Sequence, residues 1–171
     1  MTTDPGVALP PPRGCTNLKL KQASRLVARH YESFLAGAGL KNTQYSLLSH
    51  VVTLGPLRAG ELAAAMRLDA STLTRNLQPL LDKGWLQMHI GEADARSRVV
   101  EATAAGQALR QQGQKAWKRA QLALNHKLGP DRVAALHALL DECLPLLGND
   151  EADGSAAAPA ASTGRSIRSS A

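Results

Sequence analysis

Residues 56–103 read PLRAGELAAAMRLDASTLTRNLQPLLDKGWLQMHIGEADARSRVVEAT, and this stretch decides the fold. Glu61–Met66 predicts a short helix, and Ala70–Lys83 predicts a longer one because its leucines recur at the spacing of one helical stripe. Asp69 is suited to cap the longer helix at its start, and Gly84 is suited to end it. The pattern therefore predicts two helices joined by a tight turn.

A polar hairpin is predicted after the second helix. Two short strands, Trp85–Ile90 and Arg98–Val100, flank the polar segment Gly91–Ser97, which carries Arg96. Two helices, the second with small hydrogen-bonding side chains on its outer face, followed by a ribbon with a basic tip are typical of a winged helix-turn-helix. The sequence predicts a mainly α fold with a small β-hairpin wing.

These segments resemble the MarR family of bacterial transcription regulators. Asp94-Ala-Arg96 and Thr103-Ala-Ala-Gly106 are similar to the family's wing motif D-x-R and to the T-x-x-G that follows it. The stretches STLTRNL at 71–77 and LDKG at 81–84 are similar to its helix-turn-helix. The resemblance covers roughly residues 18–147, with Ala102 where a leucine is usual. It implies a transcriptional regulator that binds double-stranded DNA sequence-specifically, usually as a repressor.

Further helices are predicted on both sides of this unit. Residues 18–38 form one, Asn42 or Thr43 caps the next, Thr103 caps a long helix to about Lys127, and Pro130 begins the last. Cys143 falls on the apolar stripe of that last helix, which predicts a buried thiol. We expect a flexible arm over 1–14, a single MarR-like domain over 15–147 and a disordered tail over 148–171.

The first and last helices predict a homodimer. Both carry apolar stripes outside the DNA-binding unit of 56–103, and large exposed apolar patches are uncommon on monomers. The resemblance implies that residues 15–40 and 104–147 of two chains interdigitate as long dimerisation helices. A two-fold dimer places its recognition helices about one turn apart, roughly 34 Å, so the operator should be pseudo-palindromic.

Eight residues are candidate DNA contacts. Arginine forks onto guanine and glutamine pairs with adenine, which suits Arg75 and Gln78 to base reading. Hydroxyls at the start of a helix suit phosphates, and an arginine on a thin ribbon suits a narrow minor groove. An aspartate two residues before that arginine would hold its guanidinium in place. The full set is Ser71, Thr72, Thr74, Arg75, Gln78, Asp94, Arg96 and Arg98.

The resemblance also implies an effector site. MarR-like proteins often bind aromatic or phenolic anions in a cleft between the dimer helices and the winged unit, and binding lowers their DNA affinity. The candidates, chosen by their place in the first two helices, are Arg25, His30, Tyr31 and His50. We expect a small aromatic effector to release the repressor.

Two alternatives remain open at this stage. Some relatives oxidise a cysteine near the first helix, and Cys15 lies just before it with cationic residues nearby, which favours a thiolate. The chain would then be a redox-sensing repressor. Winged helices also serve as protein-interaction modules, although the polar recognition helix and basic wing favour DNA.

Composition bounds the remaining possibilities. A formal charge of +6 and a pI near 9.7 suit a polyanionic partner. The two cysteines form no metal-ligand spacing, and the five histidines are scattered with no catalytic motif around them. We therefore expect neither an enzyme nor a cofactor or metal. No signal peptide or membrane span is legible, so we expect a cytoplasmic protein without a membrane partner.

Overall fold

The computed structural model describes residues 13–91 and 94–153. It is mainly helical with a small antiparallel sheet, as predicted. The elements in chain order are α1 (Thr16–Leu35), a 3₁₀ turn (Ala36–Ala38), α2 (Asn42–Leu54), β1 (Leu57–Arg58), α3 (Ala59–Ala65), α4 (Ala70–Asp82), β2 (Leu86–Gly91), β3 (Asp94–Ala102), α5 (Ala104–Leu128) and α6 (Pro130–Asp153).

The described part of the chain groups into two compact units, and the boundary between them falls inside α5, after Leu124. Helix α6 also runs to Asp153, six residues into the segment predicted to be disordered. Helix formers such as Glu151 and Ala152 continue it, and Gly148 alone does not stop it.

One hydrophobic core holds the winged unit together. It is made by side chains from the facing sides of α2, α3, α4 and the sheet, and Trp85 and Leu109 pack at its edge. The stripe predicted for α4 supplies Leu73, Leu77 and Leu80 to this core. The other buried members are Leu47, Leu48, Val51, Leu57, Leu62, Leu86, Val100 and Ala102.

The sheet contains a strand that the sequence did not predict. β1 pairs with β3, so the order is β1-β3-β2 and both pairings are antiparallel. Leu57 lies opposite Val100, which brings a buried residue to the core from a strand only two residues long. Leu86 lies opposite Ala102, where the small side chain is also buried.

The wing is longer than predicted. β3 begins at Asp94, so most of the segment assigned to a polar tip, Gly91–Ser97, belongs to the strands. Asp94 pairs with Gly91 after an irregularity between Ile90 and Gly91. Polar residues on an exposed two-stranded ribbon need not bury a face, so their polarity did not mark the end of pairing.

A second core joins α1, α2 and α5. Tyr31 and Leu35 come from α1, Tyr45 from α2, and Ala116 and Ala120 from α5. Glycine at 113 allows the close approach, because a Cβ there would lie 2.7 Å from Cδ2 of Tyr45 and 2.9 Å from Cδ1 of Leu40. Small residues on α5 thus leave room for the aromatic rings that α1 and α2 bring to this core.

Two helix starts differ from prediction. Lys41 rather than Asn42 or Thr43 is the N-cap of α2, and its backbone N–H donates to Oε1 of Gln44 (3.0 Å). In the same way, the N–H of Arg58 donates to Oε2 of Glu61 (2.9 Å), so α3 begins before Glu61. In both helices the side chain at the third position accepts from the backbone N–H of the N-cap residue, which is one half of a capping box.

Cys143 is exposed, which contradicts the prediction of a buried thiol. Its neighbours on α6 are exposed as well, including Leu136, Leu144 and Leu147. Helical spacing places these residues on one side of α6, but spacing does not show whether another element covers that side. Val133, on the same side, is buried, so only the later part of this side faces solvent.

Candidate DNA-reading face and adjoining cavity

Asp69 organises the N-terminus of α4, as its position predicted. One carboxylate oxygen accepts from the backbone N–H of Thr72 (2.8 Å) and from the Ser71 hydroxyl (2.6 Å). The other oxygen accepts from the Thr72 hydroxyl (2.7 Å). These hydrogen bonds hold the pKa of Asp69 well below its usual range. The hydroxyls of Ser71 and Thr72 are therefore oriented toward Asp69 when no DNA is present.

The outer side of α4 presents the candidate base-reading residues. Arg75 and Gln78 are both exposed. Nη2 of Arg75 donates to the Thr72 hydroxyl (3.1 Å), and Nε2 of Gln78 donates to Oδ1 of Asp82 (2.7 Å). Thr74 is also exposed, with its hydroxyl bonded to the Ala70 carbonyl (2.8 Å). These contacts lie within the helix, so each side chain can exchange them for contacts to DNA.

Three of the candidates line one cleft between α4 and the wing. Thr74 and Gln78 from α4 and Arg98 from β3 border a space of about 310 Å³, which is also lined by Met88 of β2 and by residues of α3. Arg98 thus lies beside the recognition helix. The backbone of Asp94 and Arg96 belongs to β3, but their side chains lie outside the described part of the structure.

Pro79 lies inside α4, and the helix continues through it to Asp82. The chain then leaves the helix at Gly84, whose φ of +65° is the left-handed conformation typical of a helix end. The backbone N–H of Gly84 donates to the Leu81 carbonyl, and that of Trp85 donates to the Leu80 carbonyl (both 2.9 Å). Trp85 is therefore bonded to the last turn of the recognition helix.

The T-x-x-G segment ties this helix end to α5. The Thr103 hydroxyl donates to the Gly84 carbonyl (2.7 Å), and the Thr103 N–H donates to the Trp85 carbonyl (3.1 Å). The same hydroxyl oxygen accepts from the N–H of Gly106 (3.1 Å). A Cβ at Gly106 would lie only 2.0 Å from the Trp85 oxygen. Both motif residues are needed at this junction.

A cavity of about 400 Å³ lies between α1, α2 and α5. Its walls combine aromatic rings with polar side chains, a composition typical of small-molecule sites. The lining residues are Val27, Tyr31, Asn42, Tyr45, Ser46, Ser49, His50, Arg110, Gln114 and Trp117.

Two buried polar atoms in this lining have no hydrogen-bond partner among the described residues. They are the hydroxyl oxygen of Ser49 on α2 and Nε of Arg110 on α5. A different nitrogen of Arg110 is paired: Nη1 donates to Oε1 of Gln114 (3.0 Å). Both unpaired atoms are covered by the protein itself, so neither is exposed on the cavity surface.

The four predicted effector residues divide into two pairs. Tyr31 and His50 line the cavity. Burial raises the pKa of the Tyr31 phenol, whose hydroxyl donates to Gln121. Arg25 and His30 are not in the lining: Nε of Arg25 donates to the Lys21 carbonyl (3.1 Å), and Nε2 of His30 donates to the Ala120 carbonyl (2.8 Å).

Sequence reasoning missed the α5 side of the cavity. Arg110, Gln114 and Trp117 are spaced by four and three residues, which places them on one side of a helix. This spacing is legible in the sequence, but charged residues on a helix are usually solvated, so there was no reason from the sequence to place Arg110 in a cavity. Ser49 carried no signal of its own.

The described residues offer few other candidates for a functional site. Cys15 is exposed and is the N-cap residue of α1, without a side-chain capping bond. Among residues 13–91 and 94–153, no group of three or more histidines, cysteines and carboxylates could hold a metal ion. Over the same residues, no helix combines the length and apolar character needed to cross a membrane.

Comparison with known proteins places this arrangement in a family. The MarR family model matches residues 40–97. The multiple antibiotic resistance protein MarR of Salmonella typhimurium is 30% identical over 118 residues, which are 68% of this chain and 82% of that protein. The uncharacterized HTH-type transcriptional regulator YwoH of Bacillus subtilis is 33% identical over 85 residues, 50% of this chain and 61% of that protein.

A solved structure shares the fold. A cysteine-to-serine variant of MarR from E. coli, complexed with operator DNA, superposes with a TM-score of 0.70 and 25% identity, covering 75% of this chain and 93% of that one. Members of the family are transcriptional regulators and not enzymes. The identity to MarR over most of its length, together with the winged unit and its motifs, shows that the chain belongs to the MarR family of DNA-binding transcriptional regulators.

Proposed function

We propose that the protein is a repressor that binds a pseudo-palindromic operator as a homodimer and leaves it when a small aromatic anion enters the cavity. The operator DNA in the similar MarR structure supports the DNA partner. The observation that carries the effector is the presence of Arg110 in the wall of a cavity that is also lined by aromatic rings. We propose an aromatic carboxylate as the effector class.

For DNA, we propose the eight residues predicted from the sequence as the contacts. Gln78 and Arg75 would read bases, while Ser71, Thr72 and Thr74 would contact phosphates. Exposure of the α4 side chains supports this assignment. To reach a phosphate, the hydroxyls of Ser71 and Thr72 would rotate away from Asp69.

For the wing, we propose that Arg96 enters the minor groove and that Asp94 holds its guanidinium in place. Arg98 would act nearer the recognition helix, because it lines the cleft that contains Gln78.

For assembly, we propose that a second copy of the chain covers the exposed apolar side chains of α1 and α6. Leu26 is 61% exposed, and Leu146 and Leu147 are 69% and 64% exposed. Leucines this exposed on two long helices exceed what a monomer usually presents to water. A homodimer would also supply the two recognition helices that a pseudo-palindrome requires.

For the effector, the chemistry of the walls sets the class. Arg110 lines the cavity, and its guanidinium supplies positive charge and hydrogen-bond donors. A carboxylate is a suitable acceptor for a guanidinium. Tyr45 and Trp117 provide apolar surface for a ring, and about 400 Å³ accommodates a single substituted ring.

The test uses benzoate as the probe and benzamide as its neutral analogue of the same shape. Calorimetry should detect benzoate binding, with benzamide about tenfold weaker or more, because a hydrogen bond to a charged group contributes roughly 1.5–3 kcal/mol. Arg110→Gln should remove this preference, whereas Arg119→Gln, at an exposed arginine of the same helix, should leave it unchanged. A gel shift on the gene's upstream DNA should then show release by benzoate. Equal binding of both probes, or no binding, would refute the effector assignment.

A further inference from the structure

We propose that Thr103 and Gly106 are positioning residues that carry the state of the cavity to the recognition helix. This inference rests on the proposed function insofar as the cavity is the regulatory site. Neither residue lines the cavity or belongs to the candidate DNA contacts. Both lie between these two regions.

The first step of the connection runs along α5. Gly106 precedes Arg110 by four residues, so the two lie on the same side of the helix one turn apart. Beside Gly106, the nearest α2 atom is Cδ1 of Leu48, which would be 3.3 Å from an added Cβ. The neighbouring residue of α2 is Ser49, which borders the cavity. A ligand in this cavity would therefore contact the same pair of helices, α2 and α5, that meet at Gly106.

The second step is the contact between α5 and Trp85. Gly106 lies so close to the Trp85 carbonyl that no side chain fits between them. The start of α5 cannot move toward Trp85, since closely packed interiors shift between discrete arrangements rather than compress. It can move only by taking Trp85 with it or by breaking the bonds of Thr103.

The third step reaches α4. The Thr103 hydroxyl bonds the Gly84 carbonyl, and the N–H of Trp85 bonds the Leu80 carbonyl in the last turn of α4. Displacement of the α5 start is therefore passed through two residues to the base of the recognition helix. Lys83 adds a further contact, with its ammonium 4.4 Å from the centre of the Trp85 ring. Covalent bonds and hydrogen bonds therefore connect Arg110 to Leu80 without a gap.

The test uses a covalently attached group to fill the cavity, so that occupancy does not depend on the affinity of a ligand. Ser46, which lines the cavity, is changed to cysteine in a Cys15→Ser, Cys143→Ser background, so it carries the only thiol. Benzyl methanethiosulfonate then places a benzyl group in the cavity, and dithiothreitol removes it. The readout is the ratio of DNA affinities with and without the label, on an upstream duplex protected in footprinting.

With Thr103 present, labelling should lower DNA affinity by about tenfold, within the usual range of allosteric coupling. Thr103→Val keeps the shape of the side chain but removes the bond to Gly84, and should reduce the effect of labelling to less than about twofold. Thr103→Ser restores the hydroxyl and should restore the effect. If Thr103 had a purely structural role, Thr103→Val would change the thermal midpoint of unfolding but leave the ratio of DNA affinities with and without the label unaltered.

A second measurement does not depend on the folding of the Thr103→Val variant. The chain has two tryptophans, so in a Trp117→Phe version the indole NMR signal reports on Trp85 alone. Labelling should shift this signal. An unchanged ratio in Thr103→Val, no effect of labelling with Thr103 present, or an unmoved Trp85 signal would each overturn the inference. Failure of benzoate to bind would refute only the proposed effector class, because the label occupies the cavity regardless.

Discussion

Gly113 on α5 lies directly against the ring of Tyr45 on α2, where an added Cβ would be 2.7 Å from Cδ2. Real Cβ atoms do not come this close to a neighbour, so the two helices meet only because residue 113 has no side chain. The same ring lines the cavity. Packing of α2 on α5 and the shape of the cavity are thus set by one contact.

We predict that Gly113→Ala destabilises the protein. Overpacking typically costs about 1–3 kcal/mol, which exceeds the roughly 1 kcal/mol gained when alanine replaces glycine inside a helix. The midpoint of urea unfolding should therefore fall. Gly60→Ala is the control, because nothing lies within 4 Å of a Cβ there and α3 should become more stable. Equal shifts in the two variants would contradict the packing argument.

We predict that the contribution of Asp69 to stability depends on pH. Because hydrogen bonds lower its folded-state pKa, the folded protein favours the carboxylate. The stabilisation is therefore fully present above the ordinary value of 3.8 and is lost as the pH falls toward the folded-state pKa. Asp69→Ala should lower the thermal midpoint at pH 7, and its difference from the parent should narrow below pH 3.8.

Asp69→Asn is the control for this prediction. The amide oxygen can still accept from the backbone N–H of Thr72, so most of the helix cap should survive. A difference between Asp69→Ala and the parent that stays constant down to about pH 2 would show that ionisation of this carboxyl contributes nothing.

How much of this architecture was predictable depends on the range of the interactions involved. Asp69 and the leucines of α4 act within one helix, so local spacing found the cap, the stripe and the end at Gly84. The T-x-x-G segment was recognised as a motif, but its bonds to Gly84 and Trp85 join residues about twenty positions apart. Only the folded chain reveals what the motif does.

Only part of the cavity lining could be predicted, because the cavity depends on contacts between residues that are far apart in the sequence. Tyr31 and His50 were identified by their helices, but the gap depends on how α2 meets α5. A charged residue on a helix is usually solvated, so the sequence did not mark Arg110 as part of the cavity wall. The prediction that Cys143 is buried was wrong for a different reason. An apolar stripe shows which side of a helix can be buried, but it does not show which element covers that side.

We predict two separable kinds of DNA contact. Arg96→Ala should weaken binding to all sequences and reduce the salt slope by about one unit if the arginine neutralises a phosphate. Gln78→Ala should relax preference at one base pair of each half-site, at a cost of about 1–3 kcal/mol on the correct operator only. Gel shifts across a salt series, on the operator and on single-base variants, distinguish the two.

Gln87→Ala is a matched control for Gln78→Ala, because Gln87 is also exposed but its amide is bonded to Glu101 on the wing (3.0 Å). It should leave both affinity and base preference unchanged. If Arg96→Ala and Gln78→Ala produced the same sequence-independent loss, the division of roles between wing and helix would be wrong.

We predict that α6 is required for dimerisation. The parent should sediment as a dimer at micromolar concentration, while a Leu139→Glu, Leu146→Glu variant should sediment as a monomer because charges cannot be buried in an apolar interface without a partner. These leucines are 57% and 69% exposed in the single chain, so the substitutions should not disturb folding. Glu142→Lys on the same helix tests charge alone. A variant that remains dimeric would show that α6 does not form the interface.

We predict that peroxide does not release the protein from DNA. Cys15 and Cys143 are the only thiols in the chain, and both are exposed, so both are open to oxidation. In the proposed mechanism, an effector in the cavity beside Arg110 causes release without using either sulfur. In gel shifts, peroxide should therefore leave the parent, Cys15→Ser and Cys143→Ser equally bound, whereas benzoate should release all three. Release of the parent by peroxide, abolished in Cys15→Ser, would instead establish the thiol as the sensor and reduce the cavity to a secondary site.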